Sequence, residues 1–471
     1  MRAIWVVAVA VHARADESGL PSLASLKVDT WHALTPSKSS GAHCMFGAPY
    51  SFFVVPREGA TKVVVEFLGG GACWSAETCD DALRSESPVL PISRVPSALV
   101  QRDGEKAADV AAQAKFVGID FIFDDPGFSD ATYVLATYCT QDVHLGQNTA
   151  IYRDDLIVDH NGWANARAVL GWVEREFGGN SDVVVTGCSA GGIATPVMAK
   201  SLVQSFSKIS VISDSFVGLA SDNFTAEYLQ NWGAECVFAE VLGAFEMRNG
   251  IEMTEHLWRR ILAPSSSNVV VGAYTAVHDR TQMAFLRDMR GVLESARDPR
   301  DQARFARLTL SLLDRLREDY PETFSTFIVQ GDSHCGVALD TAKKHAGFQD
   351  WARLLLENEL PPSVACADCD LAEIAGCDGI VGSKLVEAHC MSCNDDCADA
   401  TNPKLFETCP DLRATAAPSN ALATAASPSS PAPTPAPTSG SSGSSSDSAR
   451  PQRAPFFAVA MFAASTALLV L

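Results

Sequence analysis

Apolar and polar positions along the central part of the chain follow two different patterns. Short apolar runs rich in β-branched residues are typical of strands buried on both faces of a parallel sheet. Five such runs lie at 62–68, 182–186, 209–213, 269–271 and 327–329. Apolar positions between residues 163 and 177 instead fall at helical spacing, and a second helix is predicted over 193–206. The alternation predicts an α/β sandwich with a mostly parallel central sheet.

The two ends of the chain have patterns that do not belong to a folded core. Residues 1–15 combine a charged start, an apolar run and Ala-x-Ala, which is typical of a signal peptide; a first core strand is the alternative. Residues 411–448 are rich in Pro, Ser, Thr and Ala and predict an extended stalk. Residues 449–471 end in an apolar run after small residues and a polar spacer. That arrangement favours a GPI-attachment signal over a retained membrane helix.

Fourteen cysteines indicate disulfide bonds in an exported protein. Seven lie in the main domain, predicted at 16–360, and seven in a short segment at 361–410, which we expect to form a disulfide-rich lobe packed on that domain. Because both sets are odd, complete pairing needs a bridge between them. Cys-x-x-Cys pairs at 366–369 and 390–393 also fit zinc, but export favours disulfides. The disulfide candidates are Cys44, Cys73, Cys79, Cys139, Cys188, Cys236, Cys335, Cys366, Cys369, Cys377, Cys390, Cys393, Cys397 and Cys409.

Charge and composition narrow the range of partners. With 36 Lys and Arg against 56 Asp and Glu, the formal net charge is −20, which argues against nucleic-acid binding. Asn223 stands in Asn-Phe-Thr, the plausible N-glycosylation sequence, and should therefore be exposed. We expect a monomer that meets a membrane only through its C-terminal anchor.

The most informative motif is Gly-x-Ser-x-Gly at 187–191, which directly follows a predicted strand and precedes a predicted helix. In this setting the motif forms a nucleophile elbow, which raises the serine above the sheet. The elbow makes Ser189 the candidate nucleophile, with the Ala190 N–H at a helix start as an oxyanion donor. A glycine-rich turn with an idle serine is the alternative, and Cys188 is more simply a core residue or half a disulfide.

A nucleophilic serine needs a base and a carboxylate that orients it. Among the later histidines only His334 directly follows a late strand, which makes it the candidate base. Asp214 ends the first strand after the elbow, and Asp279 follows the second. The chain order typical of this elbow favours Asp279 as the acid and leaves Asp214 to shape the site.

An early strand supplies the other half of the predicted site. Three glycines at 69–71 follow the run 62–68, so the backbone can approach closely and present N–H groups. Gly71 and Ala72 are the candidate oxyanion donors, with Gly70 and Trp74 as supporting residues. A tight strand–helix connection is the alternative interpretation of the same glycines.

Taken together, these motifs resemble those of the pectin acetylesterase and Notum family. The matching segments are 69–74, 138–146, 187–192, 214–215, 274–282 and 333–335. The resemblance implies an α/β-hydrolase fold and a Ser189–Asp279–His334 triad, in agreement with the assignment from chain order. Two departures are Ala72, where the family usually has Trp, and Asp332, where plant members often have Cys. The cysteine-rich segment, stalk and tail lie outside the resemblance.

The expected function is a secreted or surface-anchored serine ester hydrolase that removes acetyl groups from pectin or a related cell-wall polysaccharide without metal or cofactor. A charge of −20 argues against strong binding of a polyuronate. A neutral acetylated glycan or a lipid ester, as in Notum-like protein deacylases, therefore fits the charge as well. An inert surface recognition protein is a competing hypothesis from a different functional class, and a protease is a weaker one.

Overall fold

The computed structural model describes residues 19–79, 131–179, 181–221, 229–243, 245–246, 248, 250–265, 268–289, 299–337 and 342–367. The predicted signal peptide, stalk and anchor, Asn223, and the cysteine-rich segment beyond residue 367 lie outside these residues. Within the described ranges, no helix has both the length and the apolar character that a membrane span needs.

A nine-stranded sheet forms the centre of the fold, in the order β1-β2-β4-β3-β7-β8-β9-β10-β11. Its strands are β1 (His32–Leu34), β2 (Phe52–Val55), β3 (Lys62–Phe67), β4 (Ala131–Ala136), β7 (Asp182–Cys188), β8 (Lys208–Asp214), β9 (Asn268–Ala276), β10 (Phe324–Val329) and β11 (Val364–Ala367). From β4 to β11 all neighbouring strands are parallel, and β2 is antiparallel to both of its neighbours. The predicted mixed α/β class with a largely parallel central sheet is confirmed.

Burial explains why the strands read as continuous apolar runs. Val63, Val64 and Val65 are adjacent in β3 and are all fully buried. Because successive strand side chains point to opposite faces, this burial requires cover on both sides of the sheet. A separate hairpin, β5 (Asn148–Arg153) with β6 (Leu156–His160), lies outside the main sheet.

Besides a helical stretch at 76–79, eight helices accompany the strands in the described part of the chain. They are α1 (Gly162–Phe177), α2 (Ala190–Ser201), α3 (Leu229–Trp232), α4 (Ala234–Leu242), α5 (Gly250–Leu262), α6 (Arg280–Asp288), α7 (Pro299–Asp319) and α8 (Phe348–Leu356). Short 3₁₀ turns occur at Leu23–Ser25, Lys38–Ser40 and Ala342–Lys344.

Several predicted boundaries need correction. The helix predicted over 193–206 starts earlier, at Ala190, because the Ile193 N–H already donates to the Ser189 carbonyl at 3.0 Å. Strand β9 runs on to Ala276 because its ladder with β10 continues to Val329. Strand β11 pairs with β10, so the sheet extends past the predicted domain end at residue 360.

Three disulfides join six of the seven cysteines of the main domain: Cys44–Cys139, Cys73–Cys79 and Cys188–Cys335. The remaining one, Cys236, is exposed on α4 and forms no disulfide with a described cysteine. Every other cysteine of the main domain already has a partner, so the predicted pairing of Cys236 and the predicted bridge to the cysteine-rich segment stay predictions. Side chains of the seven cysteines at 366–409 lie outside the described residues.

Candidate active site

Ser189 occupies the sharp turn between β7 and α2. Its backbone has φ 57° and ψ −120°, a strained conformation for a residue other than glycine. The Ser189 N–H donates to the Asp214 carbonyl at 3.0 Å, which fixes the turn against β8. Glycine is required at position 191, because a Cβ there would overlap the Phe67 carbonyl oxygen. This is the geometry that the Gly-x-Ser-x-Gly pattern predicts.

Asp279 and His334 form a buried carboxylate–imidazole pair beside the elbow. Nδ1 of His334 lies 2.8 Å from Asp279 Oδ2 and 3.0 Å from Oδ1. A carboxylate can only accept, so Nδ1 carries the ring proton and Nε2 is left as the basic nitrogen. Asp279 is fully buried, whereas the His334 side chain is 19% exposed. Ser189 and His334 line the same pocket.

Helix α6 holds the Asp279 carboxylate in place. Asp279 is the N-cap of this helix, and its Oδ1 accepts from the backbone N–H groups of Thr281 and Gln282, each at 3.0 Å. The Gln282 side chain donates to Oδ2 at 3.0 Å and accepts from the Val217 N–H at 2.8 Å. The sequence motifs did not identify Gln282 as a site residue, although it ends the segment 274–282 that carries the family resemblance.

Asp214 holds the chain that follows His334 rather than the histidine itself. Its Oδ2 accepts from the Val337 N–H at 2.9 Å, and its Oδ1 accepts from the Ser215 hydroxyl at 2.8 Å. Ser215 Oγ in turn accepts from the Cys335 N–H at 2.8 Å. These bonds connect Asp214 to the residues that follow His334, and its role in shaping the site stays a prediction.

The Cys188–Cys335 disulfide connects the residue before Ser189 to the residue after His334. The two sulfur atoms and a ring nitrogen of His334 lie within 4.8 Å of one another. Metal binding requires thiolates, and in the disulfide neither sulfur is one. These three residues therefore do not form a metal site.

Segment 68–74 follows β3 and carries the predicted oxyanion donors. Gly70 has φ 149° and Gly71 has φ 82°, values that favour glycine. Gly71 and Ala72 line the pocket together with Ser189, Ala190 and His334. The structure thus places the predicted oxyanion residues in one pocket with the candidate nucleophile and the candidate base.

Side chains that are distant in sequence donate hydrogen bonds to the backbone carbonyl groups of segment 68–74. The Leu68 carbonyl accepts from His144 Nε2 at 2.8 Å, and the Gly71 carbonyl accepts from the Tyr138 hydroxyl at 3.0 Å. The Cys73 carbonyl accepts from Trp232 Nε1 at 2.8 Å. Segment 138–146 carries part of the family resemblance, but its sequence predicts no role for Tyr138 or His144.

Two buried titratable groups, Glu66 in β3 and His144 behind segment 68–74, lie on the elements that support the candidate site. Burial, with a smaller contribution from the Asp214 charge, raises the pKa of Glu66 to about 8. Burial also lowers the pKa of His144 to about 4, although its hydrogen bond to the Leu68 carbonyl and the Asp142 charge oppose this shift. Both side chains are therefore predominantly neutral at neutral pH.

An apolar pocket of about 1010 Å³, counting the part open to solvent, leads away from Ser189. Trp74 forms part of its wall, and its ring centroid lies 6.0 Å from that of Phe285. The other large apolar residues of the wall are Val143, Leu145, Ile193, Phe216, Leu219, Leu229, Trp232, Phe238, Met253, Leu257, Trp258, Met289 and Phe305. The polar side chains of the lining belong to Ser189, Ser215, Thr254, Gln282 and His334.

The fold and the site define an α/β protein with a nucleophile elbow, and comparison with known proteins shows what part of the chain resembles. Residues 24–242 match the pectinacetylesterase family, which confirms the resemblance predicted from the sequence. This match supports a carboxylic ester hydrolase without specifying the acyl group or the alcohol. No curated protein sequence matches the chain.

Similar solved structures include two crystal forms of one protein, the Wnt deacylase Notum from Drosophila. Crystal form I is 15% identical and covers 72% of this chain and 98% of its own, with a TM-score of 0.46. Crystal form II is also 15% identical and covers 72% of this chain and 97% of its own, with the same TM-score of 0.46.

Proposed function

We propose that the chain is a serine carboxylic ester hydrolase that acts through Ser189, His334 and Asp279. In this proposal Ser189 Oγ attacks the ester carbonyl carbon while His334 Nε2 accepts its proton. His334 then gives the proton to the departing alcohol, and water hydrolyses the acyl-enzyme by the reverse sequence. The 2.8 Å contact between Asp279 and His334 supports these roles, because it orients the ring and stabilises its positive charge.

The N–H groups of Ala190, Ala72 and Gly71 stabilise the oxyanion in this proposal. Ala190 is the first residue of α2, where the helix dipole favours negative charge. Loss of one such donor typically costs about 2.7 to 4 kcal/mol of transition-state stabilisation.

We infer the acyl group of the substrate from the apolar wall of the pocket. An acetyl group would leave most of that wall uncovered, whereas an aliphatic chain would bury its methylenes against it. Each buried methylene contributes about 0.8 kcal/mol, or about fourfold in kcat/KM if it is buried in the transition state. The preferred substrate is therefore an ester of an aliphatic acid longer than acetate, cleaved without metal or cofactor.

The second candidate is removal of acetyl groups from pectin or another cell-wall polysaccharide. It is favoured by the match of residues 24–242 to pectinacetylesterases. A formal net charge of −20 disfavours tight binding of a polyuronate, so a neutral acetylated glycan would suit this candidate better.

Export is part of the proposal. Three disulfides in the main domain support folding in an oxidising compartment. Secretion by a signal peptide and attachment by a C-terminal anchor remain predictions from the sequence.

Initial rates on p-nitrophenyl esters from acetate to dodecanoate, measured with the secreted full chain and its Ser189→Ala variant, test this function. We expect kcat/KM to rise with chain length until the pocket is filled and to vanish in the variant. Activity confined to acetate, with acetate release from acetylated pectin, would favour the second candidate. Equal rates in the variant, or no activity on any ester, would contradict the hydrolase and favour a recognition protein.

Leu257→Trp provides a matched test of the acyl pocket. Leu257 is half-buried on α5, lines the pocket and lies on an element that carries none of the catalytic residues. We expect this variant to lose activity on long-chain esters and to keep its rate on acetate. An equal loss on both would show that the pocket does not hold the acyl chain.

A further inference from the structure

The segment between β4 and β5 has a strained backbone, and its residues 137–146 are buried. Gln141, Val143 and His144 have φ values of 59°, 52° and 62°, in the left-handed region that residues other than glycine rarely adopt. Valine is especially unfavourable there because it is β-branched. Such strain persists only where surrounding contacts determine the conformation, and it is concentrated at functional sites. The mechanism proposed above assigns no role to this segment.

Tyr138 connects the strained segment to the predicted oxyanion residues. Its hydroxyl accepts from the Val143 N–H at 2.8 Å and donates to the Gly71 carbonyl at 3.0 Å. Its ring packs against the His144 ring, with centroids 4.5 Å apart. Burial and the Asp142 charge raise the pKa of Tyr138, so the hydroxyl keeps the proton that it donates.

Peptide geometry carries this contact to the oxyanion donor. In a trans peptide the carbonyl of one residue and the N–H of the next point in opposite directions. Because Tyr138 holds the Gly71 carbonyl from behind, the Ala72 N–H of the same peptide must point away from Tyr138. Ala72 lines the pocket beside Ser189. If this peptide rotated, the pocket would receive a carbonyl oxygen, which would repel the oxyanion.

Two further bonds fix the segment on either side of that peptide. His144 Nε2 donates to the Leu68 carbonyl at 2.8 Å, and the Cys73 N–H donates to the Gln141 carbonyl at 2.9 Å. The strained segment therefore contacts segment 68–74 before, at and after the Gly71–Ala72 peptide.

We propose that Tyr138 is a positioning residue that sets the oxyanion hole by fixing the orientation of the Gly71–Ala72 peptide. This inference rests on the proposed ester hydrolase. In this proposal Tyr138 touches neither the substrate nor the triad. Segment 138–146 contributes to transition-state stabilisation indirectly, by orienting the Gly71–Ala72 peptide.

Tyr138→Phe is the direct test because it removes the hydroxyl and keeps the ring. The matched control is Tyr133→Phe, which alters a buried tyrosine of β4 whose ring packs against Trp31. Kinetics on the best p-nitrophenyl ester would be combined with inhibition by an alkyl trifluoromethyl ketone, whose adduct with Ser189 places a negative oxygen in the hole. Thermal unfolding would be measured on the same proteins.

We expect Tyr138→Phe to lose roughly 100-fold in kcat, with KM changed less than about twofold. Inhibitor affinity should fall by a similar factor, since both depend on the oxyanion hole. Tyr133→Phe should match the wild type in both. The inference would be overturned if Tyr138→Phe lost thermal stability without a selective fall in kcat. It would also be overturned if this variant bound the inhibitor with wild-type affinity.

The outcome separates this inference from the proposed function. An active wild type with an unimpaired Tyr138→Phe variant would overturn the positioning role alone, whereas an inactive wild type would overturn both. Should Tyr138→Phe fail to fold, His144→Asn is the second variant, because its shorter side chain loses the bond to the Leu68 carbonyl. His144→Asn should also lose kcat while KM changes little. Unchanged kcat in a folded His144→Asn variant would contradict the inference.

Discussion

The proposed site has an acid–base half, Asp279 with His334, and an oxyanion half, segment 68–74. The first is held by local hydrogen bonds and a long-range disulfide, and the second by a local disulfide and long-range hydrogen bonds. Asp279 is held by hydrogen bonds from residues two and three positions later, and a disulfide spanning 147 residues then fastens the histidine loop to the elbow. Segment 68–74 contains one end of a local disulfide spanning 6 residues, and its carbonyl groups accept hydrogen bonds from Tyr138, His144 and Trp232, which lie 67, 76 and 159 positions away. Local sequence motifs can therefore reveal the first half more readily than the second.

The largest expected effect is on the acid–base half. Asp279→Asn should lower kcat by about 10⁴-fold, because an amide favours the wrong imidazole tautomer and cannot stabilise the charged ring. The fold should persist, since asparagine also caps helices well. Steady-state kinetics of Asp279→Asn and of Asp332→Asn would check this prediction.

Asp332 is the control because it pairs with Arg280 at 2.8 Å where both side chains are more than half exposed. Its replacement should leave kcat within about twofold. Similar losses in the two variants would show that His334 does not depend on Asp279.

Removing the disulfides tests the same contrast through stability. The paired change Cys188→Ala with Cys335→Ala should lower the free energy of unfolding by about 4 to 5 kcal/mol, because its bridge closes a long loop in the unfolded chain. Cys73→Ala with Cys79→Ala should cost about 2 kcal/mol, because its loop is short. Urea unfolding of both double variants measures the difference. If removal of Cys73–Cys79 lowered the free energy of unfolding as much as removal of Cys188–Cys335, or more, the long-range disulfide would not be the main covalent support.

A smaller effect on stability is expected from the buried carboxyl group of Glu66 in β3. The pKa of Glu66 rises from 4.5 in its ordinary setting to about 8 in the fold, so the folded state binds this proton more tightly than the unfolded state. Its contribution to stability is therefore complete below about pH 4.5 and is lost as the pH rises towards 8. Between pH 5 and pH 8 the loss should be on the order of 3 kcal/mol.

Urea unfolding across this pH range should show a steeper decline for the wild type than for Glu66→Gln, which keeps a neutral side chain at every pH. Glu359→Gln is the control, because Glu359 is exposed. Parallel curves for the wild type and Glu66→Gln would contradict the raised pKa.

The parallel sheet and the elbow were predictable because their signals are local. The Val-rich runs reflect burial on both faces, and Gly-x-Ser-x-Gly reflects a turn in which Gly191 has no room for a side chain. The contact of Asp279 with His334 follows from strand order, since neighbouring parallel strands end at the same edge of the sheet.

Other features depend on contacts between distant segments. Nothing near Cys188 identifies Cys335 as its partner, and nothing near Gly71 identifies Tyr138. Strand β11 also escaped prediction, because four residues carry too little pattern and its register depends on β10. The predicted start of α2 is too late because the glycines at 191 and 192 look like a turn, although they form the first turn of a helix.

The role of Ser189 is tested most directly by labelling the secreted full chain with an alkyl fluorophosphonate, followed by mass spectrometry of the modified peptide. We expect a single adduct on Ser189, formed much more slowly in Asp279→Asn and at the wild-type rate in Asp332→Asn. Ester hydrolysis that survives complete labelling, or an adduct on another residue, would contradict a nucleophilic Ser189.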